Sequence, residues 1–340
     1  MKAFQVKAPL DYRLAEVEVP GVAAGEALVR VAYAGICGSD MHIIHGDNAF
    51  VRFPRITGHE FAGIVEAVGE GVAEVAVGDR VCIDPVISCG GCYPCRIGRP
   101  NVCTALEVIG VHRDGGFEEL VAVPAANLHP LPEGLGLDAA ALVEPYTIAA
   151  NVLDRMQPHP GDRLLVFGAG VIGLTILQMA RAKGIDEVIV TDVIDERLVT
   201  ARELGAWHTV HGSRDDVEAE VMRLTGGEGL PLIADAACVP ALLPSMLRLA
   251  SPAGRIGLLG FAPTPSDLVQ LEVIKKELTL VGSRLNNRKF PEVLALMAEG
   301  RLDPLTLVSH RLSFAEMPGA IHMLEHHPEK ARKVLIQIGA

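Results

Sequence analysis

Four cysteines occur within a short, glycine- and proline-rich segment of the sequence. They are Cys89, Cys92, Cys95 and Cys103, in the order C-x2-C-x2-C-x7-C. A segment of this kind can wrap four thiolates around one tetrahedral ion, so the spacing predicts a zinc site. Two local disulfides and an iron–sulfur cluster are the alternatives, but a reducing compartment disfavours disulfides and the spacing resembles cluster motifs only loosely. Because the protein would fill every coordination position, this zinc is predicted to be structural.

A second group of metal-ligand residue types is scattered along the chain. Cys37 is followed by His59 and Glu60, and Glu144 lies far downstream. Each residue alone is typical of ordinary packing or a solvated surface. Together they supply a thiolate, an imidazole and carboxylates, the donor types of a catalytic zinc that keeps one position open. His59 and Glu60 would face opposite ways on a regular strand. Either the backbone twists there, or one of Glu60 and Glu144 is an indirect or transient ligand.

A glycine-rich turn joins a predicted strand to a predicted helix in the middle of the chain. The strand at 164–167 runs into G-x-G-x-x-G, whose glycines permit a tight turn and close approach of a pyrophosphate at the helix N-terminus. The predicted dinucleotide-binding residues are Gly168, Gly170, Val171, Ile172, Gly173, Asp192 and Arg197. Asp192, at the end of the next apolar run, would bind the adenine ribose and repel a 2′-phosphate, which favours NAD over NADP. Arg197 could stack on adenine or bind such a phosphate.

Composition and charge exclude several classes of protein. The 340 residues are 49% hydrophobic and 21% charged, with a formal charge of −12, which describes a globular chain that repels nucleic acid. The N-terminal segment has no secretory h-region, and three glycines interrupt the longest apolar stretch, at 164–180. The expectation is a cytoplasmic protein with a small-molecule substrate and with no nucleic-acid or membrane partner.

The pattern of elements divides the chain into two predicted domains. Up to residue 145, short alternating segments separated by Gly, Pro and Asp predict a β-rich domain. Residues 146–285 alternate apolar runs with helical patterns, which is typical of βαβ units and a parallel sheet. The final apolar run, 333–338, is predicted to be a strand that returns to the first domain. The predicted division is therefore 1–145 with 286–340, including a metal lobe at about 89–103, and 146–285 as the nucleotide domain.

These motifs together resemble the zinc-dependent medium-chain alcohol and polyol dehydrogenases. The resemblance runs along essentially the whole chain, through AGICGSDMH, GHEFAGIVEAVGEGV, the four-cysteine lobe and GAGVIG. It implies an α/β fold with a GroES-like catalytic domain, a Rossmann NAD-binding domain, two zinc ions per chain and a homo-oligomer, either a tetramer or a dimer. The segments GVHRDGGF, EPYTIAANV and GSRLNNRKF look most like the bacterial branch that includes L-gulonate and L-galactonate dehydrogenases and a starvation-sensing protein.

The resemblance assigns roles to the scattered ligand-type residues. It implies that Cys37, His59 and Glu60 ligate the catalytic zinc and that Glu144 binds the ion or its water. Ethanol-type members usually have a cysteine in place of Glu144. The carboxylate therefore argues against a simple-alcohol substrate.

Two residues close to Cys37 match the proton relay of the family. Ser39 and His42 would pass the substrate proton to water while hydride leaves for NAD, so the implied catalytic residues are Ser39, His42 and Glu60. The implied reaction is oxidation of a secondary hydroxyl of a sugar acid or polyol similar to L-gulonate or L-galactonate. Two alternatives stay open: a threonine- or sorbitol-type dehydrogenase, and a non-catalytic dinucleotide-binding regulatory protein. The intact relay argues against the second.

A sugar acid would need a cation to meet its carboxylate. Arg284, Arg113 and His112 lie in segments that could reach the substrate. Arg284 is favoured, although arginine pairs with phosphate as readily as with carboxylate, so an ordinary nucleotide or surface arginine is the alternative.

Overall fold

The computed structural model describes residues 1–261, 264–327 and 330–339. Its strands are β1 (Lys2–Ala8), β2 (Asp11–Glu16), β3 (Glu26–Ile36), β4 (Arg55–Ile56), β5 (Glu60–Val68), β6 (Arg80–Ile83), β7 (Val86–Ile87), β8 (Glu107–Val108), β9 (Leu120–Pro124), β10 (Leu128–Pro130), β11 (Leu164–Phe167), β12 (Val188–Asp192), β13 (His208–His211), β14 (Leu230–Asp235), β15 (Ala250–Leu258), β16 (Thr279–Gly282), β17 (Val308–Ser313) and β18 (Lys333–Gln337). Its α-helices are α1 (Gly38–His45), α2 (Tyr93–Arg96), α3 (Leu137–Ala140), α4 (Val143–Met156), α5 (Val171–Ala182), α6 (Asp195–Glu203), α7 (Val217–Leu224), α8 (Leu243–Leu249), α9 (Gln270–Lys276), α10 (Phe290–Ala298) and α11 (Met317–His326).

The chain divides into two compact units, of which the first comprises Met1–Glu144 and Asn286–Ala340. Its largest sheet has the strand order β10-β6-β5-β3-β18-β17, with β9 also paired to β3, and smaller sheets are formed by β2-β1-β4 and β7-β8. The long strand β3 changes partners along its length. It pairs with β9 near its start and with β18 at its end, where Val334 lies opposite Ile36. The last strand of the chain therefore runs beside the residue that precedes Cys37.

Aromatic side chains occupy the core of the first unit. Phe4, Phe61 and Phe117 are buried, and the rings of Phe4 and Phe117 meet edge to face with 6.4 Å between their centroids. Edge-to-face contact suits the quadrupoles of two aromatic rings and adds to the free energy gained by burying them. The same core contains apolar residues of β3 and β5, the strands that lead to the candidate ligands.

The second unit, Pro145–Leu285, contains a six-stranded parallel sheet with the order β13-β12-β11-β14-β15-β16. Every residue of β11 and β12 is buried, which explains why these strands read as unbroken apolar runs. The strand order reverses between β11 and β14. Ligands of open α/β sheets bind at such a switch point, beside the carboxyl ends of the strands. Gly168, directly after β11, and Asp192, the last residue of β12, both lie at this end of the sheet.

The longest apolar stretch of the sequence is shared between two elements. Its first residues form β11, and the later ones form the twelve-residue helix α5, which packs against the sheet. Within the described ranges, no helix combines the length and the apolar character that a membrane crossing requires.

Candidate active site and nucleotide site

The first candidate ligand, Cys37, lies where β3 ends and α1 begins. It is the N-cap residue of α1, and its backbone N–H donates to Oδ2 of Asp40 at 2.9 Å. Asp40 is completely buried, and its Oδ1 accepts the N–H of Gly58 at 3.1 Å. Burial raises the pKa of Asp40, while the nearby His59 and these two N–H donors lower it. One carboxylate thus connects the helix start that carries Cys37 to the loop that carries His59.

His59 and Glu60 are adjacent in sequence, yet both approach Cys37. Glu60 is the first residue of β5, whereas His59 lies in the preceding loop, after Gly58 with a φ of +96°. Because His59 is outside the strand, the alternation that would separate the two side chains does not apply. One candidate ligand atom from each of Cys37, His59 and Glu60 lies within 4.8 Å of the other two. This grouping fits a small ion held by a thiolate, an imidazole and a carboxylate.

The charges around His59 favour a cation at this position. Oγ of Ser39 lies 3.3 Å from Nε2 of His59, and Oδ1 of Asp40 lies 3.7 Å from Nδ1. Burial lowers the pKa of His59, but the negative charges of Asp40 and Cys37 outweigh burial and hold that pKa well above 6.5. The same charges would stabilise a metal cation in place of the proton.

Glu144 lies in the first turn of α4 and is buried. Burial raises its pKa to about 7, with His59 lowering the pKa and Glu60 raising it. Among the described residues, the group of mutually close ligand atoms comprises Cys37, His59 and Glu60, without Glu144. This geometry favours Glu60 as the third protein ligand and leaves Glu144 as a buried carboxyl group in the same electrostatic environment.

Sequence reasoning missed Lys333, a buried cation beside the candidate ligands. Its Nζ forms an ion pair with Oε2 of Glu60 and donates to the carbonyl oxygen of Ile36 at 3.0 Å. Burial lowers the pKa of Lys333, but the charges of Glu60 and Cys37 raise it above its usual value. The only signal in the sequence is a lysine at the start of an apolar strand, which by itself has no chemical meaning.

The two residues predicted to relay a proton both lie on α1. Ser39 is in its first turn, close to His59, and His42 is three residues later, so the two occupy the same side of the helix. His42 is exposed, whereas Ser39 is half-buried. The arrangement runs from the candidate metal site toward solvent along one helix turn.

The four clustered cysteines converge in the first unit. Sγ of Cys92 lies 3.4 Å from Sγ of Cys95 and 3.7 Å from Sγ of Cys103, and Sγ of Cys103 lies 3.4 Å from Sγ of Cys89. A tetrahedral zinc with Zn–S bonds of about 2.3 Å needs sulfur atoms about 3.8 Å apart, so the thiols fit one ion. Backbone N–H groups of Thr104 and Cys95 lower the pKa of Cys92 to about 5, whereas burial raises the pKa of Cys95 to about 11. The cluster is therefore partly prepared for thiolate ligation.

The second unit contains a pocket of about 780 Å³ at the carboxyl ends of its strands. Its lining includes four predicted residues, Gly168, Gly170, Asp192 and Arg197. Gly168 has a φ of +92°, and a Cβ on Gly173 would lie 1.8 Å from the carbonyl oxygen of Gly168, so the turn requires glycine at both positions. Val171 and Ile172 form the first turn of α5, next to this turn.

Hydrogen bonds fix the Asp192 carboxylate in that pocket. Its Oδ2 accepts the N–H of Ala169 at 2.6 Å, and its Oδ1 accepts the N–H groups of Val193 and Ile194 at 2.8 and 3.0 Å. Arg197 lies 3.7 Å from the same carboxylate, so its charge is already paired. Three acidic residues, Asp215, Asp216 and Glu218, also line the pocket. Sequence reasoning missed them because the motif that predicts the nucleotide site extends only from the glycine-rich turn to Asp192 and Arg197. They make the lining more acidic, and Glu218 among them pairs with Arg248.

The three predicted substrate-binding residues occupy different places in the fold. Arg284 belongs to the second unit, where its guanidinium lies 5.5 Å from the ring centroid of Phe261. Arg113 and His112 belong to the first unit. Arg113 pairs with Glu26 and Glu107 at 3.6 and 3.4 Å. Nδ1 of His112 accepts the N–H of Val108 at 3.1 Å. Arg113 is thus engaged with carboxylates of its own unit.

Two family models match most of the chain. The alcohol dehydrogenase GroES-like domain matches residues 23–133, and the zinc-binding dehydrogenase model matches residues 171–299. The starvation-sensing protein RspB of Escherichia coli K12 is 46% identical over 337 residues, which cover 99% of each chain. The chain belongs to the zinc-dependent medium-chain dehydrogenases.

Other members of this dehydrogenase family are similar over nearly the whole length. L-galactonate-5-dehydrogenase of Escherichia coli K12 is 34% identical and covers 91% of this chain and 90% of its own. L-threonine 3-dehydrogenase of Pyrococcus horikoshii is 35% identical and covers 88% and 87%. A crystal structure of the alcohol dehydrogenase rspB of Escherichia coli CFT073 complexed with NADH has a TM-score of 0.95 at 45% identity and covers 99% of both chains. The predicted fold class, the enzyme class and the family cofactors zinc and NAD are confirmed.

The Asp192 carboxylate should determine the choice between NAD and NADP. In Asp192→Ser, a hydroxyl replaces the charge and Arg197 loses its partner, so we expect KM for NAD to rise about tenfold or more and NADP to become a usable cofactor. The measurement is kcat/KM with each cofactor. Glu196→Ser removes the same charge from an exposed position in α6 and should leave both values unchanged. If the ratio of kcat/KM with NAD to kcat/KM with NADP is the same in Asp192→Ser as in the wild type, this carboxylate does not distinguish the two adenine riboses.

Proposed function

We propose that this dehydrogenase oxidises a secondary hydroxyl group of a sugar acid or polyol with NAD. The observation that carries the proposal is the grouping of Cys37, His59 and Glu60 within 4.8 Å, with Oγ of Ser39 at 3.3 Å from His59. These donors suit a zinc ion with an open position, and a hydroxyl group that can accept one proton while it gives up its own lies beside them.

The proposed roles of the residues follow from their surroundings. When bound, zinc supplies a Lewis acid that makes the substrate hydroxyl more acidic, and NAD accepts the hydride. Cys37, His59 and Glu60 would hold the ion. Ser39 would accept the hydroxyl proton at Oγ while its own proton leaves toward His42, and the exposed His42 would release a proton to water, so no net proton stays on the serine. Ser39→Ala is expected to lower kcat by about a hundredfold or more, while the affinity for NAD is retained.

The substrate class is supported by the branch of relatives, and an arginine is the residue type proposed to meet the carboxylate. L-galactonate-5-dehydrogenase is among the similar proteins, and a carboxylate on the substrate would find a bidentate partner in an arginine. Arg284 is the proposed partner. Arg113 pairs with two glutamates of the first unit, Glu26 and Glu107, and serves as the comparison.

A substrate panel tests this proposal. NADH formation is measured with zinc-loaded enzyme on L-gulonate, L-galactonate, sorbitol, L-threonine and ethanol, with NAD and NADP in parallel. We expect turnover of the sugar acids with NAD, and we expect Arg284→Gln to raise KM about tenfold or more for the acids alone. Arg113→Gln is the matched control and should keep its KM values.

Other outcomes of the panel point to different functions. If Arg284→Gln raises KM for sorbitol as much as for the acids, the proposed contact between Arg284 and the substrate carboxylate is wrong. Turnover of L-threonine alone would favour the threonine-type reaction, which similar proteins catalyse according to their names. Absence of turnover on a wider panel, with zinc and NAD bound, would favour a regulatory protein. We propose a cytoplasmic location for this activity, because both groups of candidate zinc ligands need reduced thiols.

We further propose two zinc ions per chain, one catalytic and one structural. The four cysteine thiols fit a closed tetrahedral site, and Cys37 belongs to a separate group. Cys92→Ser should lower the zinc content from about two ions to about one and reduce thermal stability, because the segment around 89–103 has little apolar core of its own. Metal analysis and thermal unfolding measure both effects. Cys82→Ser, at a buried thiol outside both groups, should keep both ions, and a Cys92→Ser protein that also keeps two ions would contradict the assignment.

A homo-oligomer is the proposed assembly, formed through the second unit. Strand β16 is at one end of the parallel sheet, and the chain that precedes it exposes five large apolar side chains, here called the apolar patch, namely Phe261, Leu268, Val269, Leu271 and Ile274. An apolar patch beside an open strand edge suits a second copy of the same chain, whose β16 could pair with this one about a two-fold axis.

Charged residues in this patch should disrupt the oligomer. Leu271 and Ile274 are 67% and 76% exposed, so Leu271→Asp with Ile274→Asp should preserve the fold and lower the mass measured by analytical ultracentrifugation. Leu10→Asp with Val77→Asp, at exposed apolar residues of the first unit, is the control and should keep the wild-type mass. If the patch variant also keeps that mass, another surface forms the oligomer.

A further inference from the structure

The amide group of Asn151, on helix α4, holds the segment that carries Arg284. Nδ2 of Asn151 donates to Oγ of Ser283 and to the carbonyl oxygen of Leu285, each at 3.0 Å. The carbonyl oxygen of Arg284, which lies between these two acceptors in the sequence, is 3.4 Å from the same nitrogen. An amide nitrogen carries two hydrogens, so one side chain can serve three consecutive residues.

Burial makes these hydrogen bonds selective for one arrangement. Asn151 is 3% exposed, and Ser283 is 8% exposed. A buried amide group without its acceptors would cost free energy, and so would the buried oxygen atoms that it leaves behind. The hydrogen bonds of Asn151 therefore favour one position of the segment 283–285 over others.

The backbone around Arg284 needs this support. Leu285 has a φ of +50°, a left-handed conformation that residues with a Cβ rarely adopt and that persists where the surroundings impose it. On the other side of Arg284, the N–H of Ser283 donates to the carbonyl oxygen of Leu258 at 2.9 Å. Asn151 thus completes a set of hydrogen bonds that fixes the backbone on both sides of Arg284.

A fixed backbone determines where the guanidinium group of Arg284 can reach. The allowed rotamers of a side chain follow from its backbone conformation. The guanidinium lies 5.5 Å from the ring centroid of Phe261, so the side chain is also restrained near its end. A restrained arginine loses less side-chain entropy when it binds a carboxylate.

We propose that Asn151 is a positioning residue for substrate recognition. By fixing the segment 283–285, it directs the guanidinium of Arg284 toward the carboxylate of a sugar acid. This inference rests on the proposed function in one respect, namely that Arg284 meets the substrate carboxylate. Because Asn151 acts through Arg284, its loss should affect acidic substrates and spare neutral ones.

Steady-state kinetics of Asn151→Leu in zinc-loaded enzyme test this role. Leucine has nearly the size of asparagine but donates no hydrogen bond. We expect KM for L-galactonate to rise about tenfold, while kcat and the KM values for sorbitol and NAD stay at the wild-type level. Ser283→Ala is a milder variant that removes one of the three acceptors, and it should raise the same KM about threefold.

A double variant separates positioning from a general loss of structure. When Asn151→Leu is added to Arg284→Gln, KM for L-galactonate should not rise further, because no guanidinium is left to position. A further rise of that KM in the double variant would mean that Asn151 acts independently of Arg284, and the proposal would fail.

Amide hydrogen exchange measures the segment without any substrate. Exchange in a peptide that contains Ser283 should be about tenfold faster in Asn151→Leu than in the wild type, because the segment opens more often. Thr225→Val is the matched control in the second unit. The buried hydroxyl of Thr225 donates to the carbonyl oxygen of Val221 at 2.9 Å and accepts the N–H of Gly229 at 3.2 Å. Its loss should change neither the exchange at Ser283 nor KM for L-galactonate.

The outcomes distinguish this inference from the proposed function. The positioning role alone is wrong if Arg284→Gln raises KM for L-galactonate and Asn151→Leu does not, if Asn151→Leu raises KM for sorbitol equally, or if exchange at Ser283 is unchanged. If Arg284→Gln itself keeps the wild-type KM for the acids, the proposed carboxylate contact is wrong, and the role given to Asn151 falls with it.

Discussion

The candidate active site depends on a buried ion pair between Lys333 and Glu60, each only 2% exposed at its side chain. Removing two charges from water costs several kcal/mol per ion unless both find close partners. The ammonium group of Lys333 also donates a hydrogen bond to the carbonyl oxygen of Ile36, directly before Cys37, and this bond offsets part of the cost of its burial. The pair leaves no space at Gly35, where a Cβ would lie 2.4 Å from Oε2 of Glu60. The pairing of β18 with β3 thus places Lys333 where its charge can compensate that of Glu60 beside Cys37.

Asp40 is a second buried charge beside the candidate ligands Cys37 and His59. It is a buried carboxylate that accepts hydrogen bonds from Cys37 and Gly58, two positions far apart in sequence. These bonds repay part of its desolvation and hold the start of α1 against the loop that carries His59. The excess of negative charge around His59 raises its pKa, and a metal cation would relieve the same excess. The site's chemistry and its stability thus depend on the same few charges.

The second unit applies the same principle to a nucleotide. Asp192 accepts backbone N–H groups from both the glycine-rich turn and the start of the segment that leads to α6. Its carboxylate is held at the carboxyl ends of the strands before any ligand arrives, so binding need not order it. Arg197 lies 3.7 Å from this carboxylate, so its charge is compensated within the protein. Further acidic residues, Asp215, Asp216 and Glu218, line the same pocket.

By itself, the sequence determined which donors are present and which of them are close in the chain. The four cysteines, the glycine-rich turn and the alternation of strands and helices are local patterns, so spacing and periodicity were enough to predict them. The contacts of distant residues could not be read in this way. Three features of the site depend on strand pairing and loop conformation. His59 lies outside the alternation of β5, Glu60 and not Glu144 joins the close group of ligand atoms, and Lys333 pairs with Glu60. Only the tertiary structure decided them, because burial of a charge selects partners by proximity in space and not by distance along the chain.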